Sequence, residues 1–388
     1  MYNKEYNILE KKFISKQDRF KLSKSNISEL KNDFRNSKIL ITGAAGSIGN
    51  VFVKRLNQFN FKELYLMDKD ENQLTELNRE LLLFNEKFFH KIKFICVDIN
   101  LININRFIMQ KKITHYLNFA AIKHVRSEEN IETIKYMFLT NSENFLFVSK
   151  LPKKKKLKKV FSISTDKSVN PSSILGVSKK IMEQRLCEFK KNNKNIFVST
   201  ARFANVSFSN GSILKSIVDR INQKKIFGIP DDTYRFFITH EESSSLCLKS
   251  LLSVNNNSIL IPDKKTLKRM MTIKELCSKI LEYKGFEPQY VLKRKKTKNK
   301  KKYIVILNKS KTHGQKGFEE LYEKSEKLSL VKDDFSIRSL KLLKFINTNT
   351  LLNKIGNCKN KKDIINIISK QFINFSPNKK VLALSKII

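Results

Sequence analysis

Paired cysteines are missing from this chain. Its five cysteines (Cys96, Cys187, Cys247, Cys277 and Cys358) are scattered, odd in number and form no C-x-x-C pair. That argues against a disulfide framework or a cysteine-bound metal, and reads as reduced thiols in a cytoplasmic protein. The five histidines (His90, His115, His124, His240 and His313) make no H-x-x-x-H pattern, so no metal is expected. No apolar run reaches the length of a membrane span, so no integral membrane segment is expected. The N-terminus has no apolar signal core. No internal repeat is present.

Acidic residues are also scarce, 36 against 77 basic ones, for a formal net charge of +41. Such a charge suits a nucleic-acid or anionic-membrane partner. It equally follows from a composition rich in Lys, Asn and Ile throughout. The two basic runs, 153–159 and 294–302, contain no aromatic side chain. Base stacking therefore has no platform there, and solvated loops are expected rather than nucleic-acid binding. A positive field would also favour capture of polyanionic small molecules.

The chain does contain a strand-and-turn signal. Residues 38–49 read Lys-Ile-Leu-Ile-Thr-Gly-Ala-Ala-Gly-Ser-Ile-Gly. A short apolar strand runs into glycines three apart. Gly43 permits a tight turn, Gly46 admits a pyrophosphate close to the backbone, and Gly49 lets helix and strand pack. The new helix, from Ser47 and Ile48 onward, offers free N–H groups to phosphates. A second strand, 64–67, ends at Asp68, placed to hold an adenosine ribose. A third, 94–97, ends at Asp98, expected beside the adenine. A fourth, 116–121, ends at Ala120 and Ala121. Asp68 would repel a 2′-phosphate, so NAD is favoured, while Lys69 beside it leaves NADP open.

Strands and helical stretches alternate from 38 to about 200. The fold class is therefore α/β, a Rossmann-like doubly wound parallel sheet with a smaller C-terminal substrate lobe. The expected divisions are a helical extension over 1–36, an NAD-binding domain over 37–205, a substrate-binding lobe over 206–330 and a basic helical tail over 331–388. The extension is either a leading helical segment or a subunit-contact arm.

A fifth strand, 160–163, carries Ser-Thr-Asp-Lys-Ser-Val-Asn-Pro over 164–171 at its carboxyl end, where open α/β sheets place ligands. Thr165, Asp166 and Lys167 put a hydroxyl, a carboxylate and an amine together. Lys179 lies on the next helix, four residues past Leu175. Short-chain dehydrogenases usually have tyrosine at that earlier place, with the lysine lowering its pKa and binding the nicotinamide ribose. Leucine cannot titrate, so proton traffic falls to Thr165, Asp166 and Lys167.

With these motifs in order, the chain resembles the nucleotide-sugar 4,6-dehydratases of bacterial polysaccharide biosynthesis, extended short-chain dehydrogenases acting on UDP-N-acetylglucosamine. The resemblance covers about residues 36–250: 42–49, 68–74, 120–125, Asn141, 164–171 with Gly176 and Lys179, 201–206 and 234–239. A weaker likeness over 317–322 points to a soluble subgroup linked to legionaminic-type pathways. Longer family members have membrane spans.

The resemblance implies an NAD-dependent reaction. Hydride leaves sugar C4, the ketone acidifies C5–H, the C6 hydroxyl leaves as water and hydride returns to C6. By this likeness Lys167 is the C5 base, Asp166 the acid at the leaving hydroxyl, and Thr165 a hydrogen-bond partner of the C4 oxygen. Lys123, His124 and Asn141 would line the sugar pocket. Arg202, Asn205 and Arg235 would meet the nucleotide diphosphate. The partner is then a nucleotide sugar, and a homo-oligomer is expected because family members commonly associate. Two alternatives remain: an epimerase of the same fold, and a catalytically silent NAD-binding protein that binds nucleic acid.

Overall fold

The computed structural model describes residues 4–83, 86–144, 150–152, 156–293, 299–308, 318–331, 334–342, 346–372 and 375. Two helices lead, α1 (Lys4–Phe13) and α2 (Lys24–Phe34). Ser23 caps α2 by accepting the Asn26 backbone N–H, and the Asn26 side chain accepts from Ser23 in return. The two helices serve different cores. Tyr6 and Leu9 of α1 pack into the smaller lobe, whereas Leu30 and Phe34 of α2 join the main core. Between them Arg19 donates to Glu242 from Nε at 2.6 Å and from Nη2 at 2.8 Å. The leading segment thus lies against its own chain.

The central unit alternates strand and helix: β1 (Lys38–Thr42), α3 (Ser47–Leu56), β2 (Glu63–Asp68), α4 (Glu71–Leu82), α5 (Glu86–Phe89) and β3 (Ile92–Cys96). It continues through α6 (Ile104–Lys111), β4 (His115–Asn118), α7 (Ile131–Phe138), β5 (Lys159–Ile163), α8 (Ile174–Asn192) and β6 (Phe197–Ala201). β5 and β6 are buried along their whole length, as parallel strands covered on both faces must be. Strand order is β3-β2-β1-β4-β5-β6, all parallel. The order reverses between β1 and β4. Connections leave in opposite directions there, and a crevice opens at the carboxyl ends of the strands.

The rest of the chain is β7 (Asn205–Val206), α9 (Ile213–Asn222), β8 (Phe227–Pro230), β9 (Tyr234–Arg235), β10 (Phe237–Ile238), α10 (His240–Ser250), β11 (Ser258–Pro262) and α11 (Lys264–Leu267). Then come β12 (Met271–Thr272), α12 (Ile273–Tyr283), β13 (Glu287–Val291), β14 (Lys302–Asn308), β15 (Ser329–Val331), β16 (Asp334–Lys341), α13 (Thr348–Gly356) and α14 (Lys361–Gln371). The smaller lobe is the three-stranded sheet β13-β14-β8 with α9 and α12 over one apolar cluster.

Two of the expected divisions are drawn differently by the structure. β11 joins the central sheet parallel to β6, so the stretch 206–330 belongs to both units. The supposed helical tail begins with a strand: β16 runs antiparallel to β11, and β15 closes the edge antiparallel to β16. The cause is long-range. The free edge of β11 needs a hydrogen-bonding partner, and that need is invisible to local periodicity. Helices α13 and α14 do follow. Leu351, Leu352, Ile355, Ile364 and Ile368 pack with Ile134, Met137, Phe138 and Ile181 of α7 and α8 in a third apolar cluster. The basic runs 153–159 and 294–302 and the end of the tail lie partly outside the described residues. Among the described residues no helix is long and apolar enough to cross a membrane.

Ile337 of β16 is fully buried in the main core. Ile337→Ala should therefore cost about 2–5 kcal/mol in denaturant unfolding. A loss below about 0.5 kcal/mol, the usual range for surface changes, would show that β16 is no part of the cooperative core.

Candidate active site

Positions 43 and 49, on either side of the turn after β1, are sterically closed to any residue but glycine. Gly43 has φ +69°, and a Cβ there would stand 2.3 Å from the Ala120 nitrogen. At Gly49 a Cβ would meet the Gly43 carbonyl at 2.2 Å. Gly46 is the N-cap of α3 and supplies no side-chain cap, so no side chain closes the first-turn N–H groups. Ser47 accepts the Asn210 N–H at 2.9 Å, tying the turn to the start of the smaller lobe. Ile48 packs against the main core.

Asp68, at the end of β2, reaches this turn. Its carboxylate accepts the Ala45 N–H at 2.9 Å and the Asp70 N–H at 3.1 Å. Burial raises its pKa against those hydrogen bonds. Asp98 caps the turn after β3 through the Asn100 N–H and also accepts from the Tyr136 hydroxyl. Lys69 donates to that same hydroxyl at 3.0 Å, so both charged groups at this corner converge on one tyrosine. Ala120 and Ala121 follow β4, with Ala120 N–H donating to Asn118. A glycine turn, an uncapped helix start and an acid at the neighbouring strand end fit the pyrophosphate and ribose of a dinucleotide.

β5 ends at Ile163, and the next residues form a short turn with Thr165 as N-cap of Asp166–Ser168. One residue of α8 holds both ends of this turn. Glu183 Oε1 accepts from the Ser164 hydroxyl at 2.6 Å and the Ser168 hydroxyl at 2.9 Å. Between those anchors Asp166 Oδ1 accepts from the Thr165 hydroxyl at 2.7 Å and from Lys167 Nζ at 3.1 Å. Asp166 is 5% exposed and the Lys167 side chain 35% exposed, so the amine is the open member of the pair. Burial disfavours both charges. The mutual attraction and the hydrogen bonds outweigh it, so Asp166 stays below the usual carboxylate range and Lys167 above the usual amine range.

Lys179 donates to the Ile163 carbonyl at 3.0 Å, at the root of this turn. Desolvation lowers its pKa to about 8. Leu175 is buried in the third apolar cluster, and its N–H donates to Glu128 at 2.9 Å. Burial pushes the Glu128 carboxyl up to about 7.

The remaining expected residues divide. Lys123 is exposed at the end of β4, yet desolvation by surrounding protein lowers its amine to about 8. His124 lies against Gly211, where a Cβ would stand 2.5 Å from the imidazole Cε1. Asn205 and Arg235 converge on one carboxylate, that of Glu319. Arg235 Nε stands 3.4 Å from it, and Asn205 donates its amide.

Asn141 and Arg202 differ from expectation. Asn141 is fully buried; it accepts the Ile122 N–H and donates to the Ile122 carbonyl, both at 2.9 Å, and donates to Ser178 as well. It braces the segment carrying Lys123 against α8 instead of facing a sugar. Arg202 is also fully buried. It donates to Glu183 from Nε and Nη2, both at 2.7 Å, and to Glu326 from Nη1 and Nη2, both at 2.8 Å. Its fork is saturated by two carboxylates, which leaves it structural rather than phosphate-binding. The carboxylates hold its pKa above normal despite burial.

Glu183, Glu319 and Glu326 were not singled out from the sequence. Glu183 had a usable signal, since it stands one helical turn past Lys179 on the same face of α8. The other two reach the site only through the path of residues 318–326. Lys180 reinforces that path, donating to Glu323 at 2.8 Å.

Residues 39–338 match the family described as "Polysaccharide biosynthesis protein". The chain is 26% identical over 309 residues to the capsular polysaccharide biosynthesis protein CapD of Staphylococcus aureus, covering 76% of this chain and 49% of that protein. It thus spans about half the length of that relative. It is 30% identical over 364 residues to an uncharacterized membrane protein of Methanocaldococcus jannaschii, covering 91% of this chain and 97% of the relative. In fold it is similar to the X-ray structure of Pen from Bacillus thuringiensis, with TM-score 0.63 and 18% identity, covering 87% of this chain and 98% of that one.

Arg202→Met would leave Glu183 and Glu326 buried with Lys180 in place of their bidentate partner. The expected loss is about 3–5 kcal/mol by urea unfolding. A change within about 0.5 kcal/mol, the range of surface substitutions, would show that the pair is dispensable.

Proposed function

The chain belongs to the polysaccharide biosynthesis protein family, and from that premise we propose that it dehydrates a nucleotide-activated N-acetylglucosamine, UDP-linked, to the 4-keto-6-deoxy sugar. One observation carries the reading: a buried carboxylate and a part-exposed amine are held as a pair on a fixed turn at the carboxyl end of β5. They sit at the same end of the parallel sheet, the carboxyl end, as the glycine turn after β1. A nicotinamide dinucleotide, when bound, would supply the hydride acceptor for C4 and the hydride source for C6. Gly43, Gly46, Ser47, Ile48, Gly49, Asp68, Asp98, Ala120, Ala121 and Lys179 are the residues proposed to hold it.

The chain's own groups handle the protons. Thr165 donates to or accepts from the C4 oxygen. Lys167 takes the C5 proton as the free amine, so the ammonium of the free site must first deprotonate. A sugar that excludes water from the turn disfavours that charge and promotes the loss. Asp166, once protonated, gives its proton to the departing C6 hydroxyl. Lys123, His124, Asn205 and Arg235 are proposed to contact the nucleotide sugar.

Incubated with UDP-N-acetylglucosamine and NAD, the protein should release a product lighter by one water, read by mass spectrometry. A product of unchanged mass would instead mark an epimerase, a reaction for which the apolar Leu175 offers no proton acceptor. Neither product nor NAD binding would end the reading.

Lys167→Ala should lower the dehydration rate by about 10²–10⁴-fold, the range for a positioned base, with NAD affinity by calorimetry unchanged. Loss of NAD affinity together with activity would make Lys167 structural.

A further inference from the structure

Two proton problems accompany the proposed dehydration. Leu175 cannot take the proton from the C4 hydroxyl. Asp166, which must deliver a proton to the C6 hydroxyl, rests as a carboxylate beside Lys167.

A second carboxyl lies against Asp166. Glu319 is buried, and its Oε2 accepts the Phe236 N–H at 2.8 Å. Its Oε1 accepts from the Asn205 amide and stands 3.4 Å from Arg235 Nε. Its carboxyl also lies against that of Asp166, close enough for a hydrogen bond to form between them. Two ionised carboxylates have only acceptors, so that bond requires a proton between them. Burial first, and then the Asp166 charge, push the Glu319 carboxyl up to about 8, against the opposing pull of Lys167 and Arg235.

Resting on the dehydratase reading, we propose that Asp166 and Glu319 form a proton store, with Glu319 as a positioning residue that acts through Asp166. One proton is shared by the two carboxyls throughout. A second enters from the C4 hydroxyl by way of the Thr165 hydroxyl, which already donates to Asp166 at 2.7 Å. As hydride leaves C4 for the dinucleotide, the O–H electron pair becomes the second bond of the ketone. Both carboxyls are then neutral. Lys167 removes the C5 proton, whose electron pair forms the C5–C6 double bond. The C6–O bond breaks onto oxygen, Asp166 supplies its proton, and water departs. The carboxyl pair is back to one proton. Hydride returns to C6, and Lys167 returns its proton to C5. Each proton taken up is released, and no further reactant is required. When the shared proton sits on Asp166, the Glu319 carboxylate is held by the Phe236 N–H, the Asn205 amide and the Arg235 guanidinium.

The test uses Glu319→Gln and Glu319→Asp in the full chain. Glutamine keeps the size, but its single amide oxygen can accept from Phe236 or from Asn205 and not from both, and its NH2 group cannot exchange an acid proton. We expect Glu319→Gln to bind NAD and the sugar nucleotide with unchanged KM, while kcat falls about a hundredfold. Glu319→Asp should recover part of the loss. A merely structural glutamate would impair both variants alike, with KM altered and aspartate no better than glutamine; that result, or full activity in Glu319→Gln, overturns the proposal. Lys123 and Lys179 also titrate near 8, so an alkaline limb in activity alone does not discriminate. Infrared spectra of the ligand-free wild type supply the independent readout. A protonated-carboxyl band should disappear as pH rises through about 8, and Glu319→Gln should lack that transition. No such band in the wild type overturns the store, even if the variant fails to fold. If the wild type does not dehydrate the sugar, the functional reading falls, and the infrared result alone decides whether the proton is shared.

Discussion

A buried ion pair organises the site. Glu183 and Arg202 meet in the interior through two bonds of 2.7 Å, and neither side chain reaches solvent appreciably. Charges taken out of water are tolerated only when every oxygen and N–H is matched. The matching is what builds the turn. Glu183 uses its remaining capacity on the hydroxyls of Ser164 and Ser168, and so fixes both ends of the segment that presents Thr165, Asp166 and Lys167. Arg202 uses its other face on Glu326, and so draws residues 318–326 over the same turn. The acid–amine pair and the Glu319 carboxyl are brought together by one guanidinium that touches neither.

A second polar chain runs beneath the crevice. The Thr42 hydroxyl donates to Asn118 at 2.6 Å, and Asn118 donates to Ser162 at 2.9 Å, linking β1, β4 and β5 below their carboxyl ends. Asn118 also accepts the Ala120 N–H, which sets the approach of Ala120 to Gly43. The switch in strand order thus has side-chain bonds across it as well as backbone ladders. Satisfied networks of this kind favour a single geometry, because each alternative would strand a buried donor or acceptor.

Charge works on two scales here. The net charge of +41 spreads over the surface, whereas the interior of the site is rich in carboxylates. Asp166, Glu183, Glu319 and Glu326 are gathered around Lys167, Lys180, Arg202 and Arg235. Burial is the largest influence on the titration of Asp166, Lys167, Glu183, Arg202 and Glu319, and the sign of each shift depends on how strongly the neighbours oppose it.

Strand ends, the glycine spacing and the acid–amine motif were legible because each is written within a few consecutive residues. The parallel alternation from 38 to 201 follows from apolar runs of strand length, and Gly43 had to be glycine once the turn was assigned. The assignments of Asn141 and Arg202 rested on the family resemblance and on residue type. An arginine suits a phosphate and a carboxylate equally, and nothing within its own segment says which it will meet. Of the two carboxylates that answer it, Glu326 lies 124 residues away. The strand β16 and the carboxyl of Glu319 depend in the same way on partners brought in from distant segments, 153 residues in the case of Glu319 and Asp166. Short-range chemistry wrote the crevice and its reactive turn into the chain. Which buried charges face each other there was set by folding, since pairing energy depends on distance in space and burial, neither of which a linear order of residues contains.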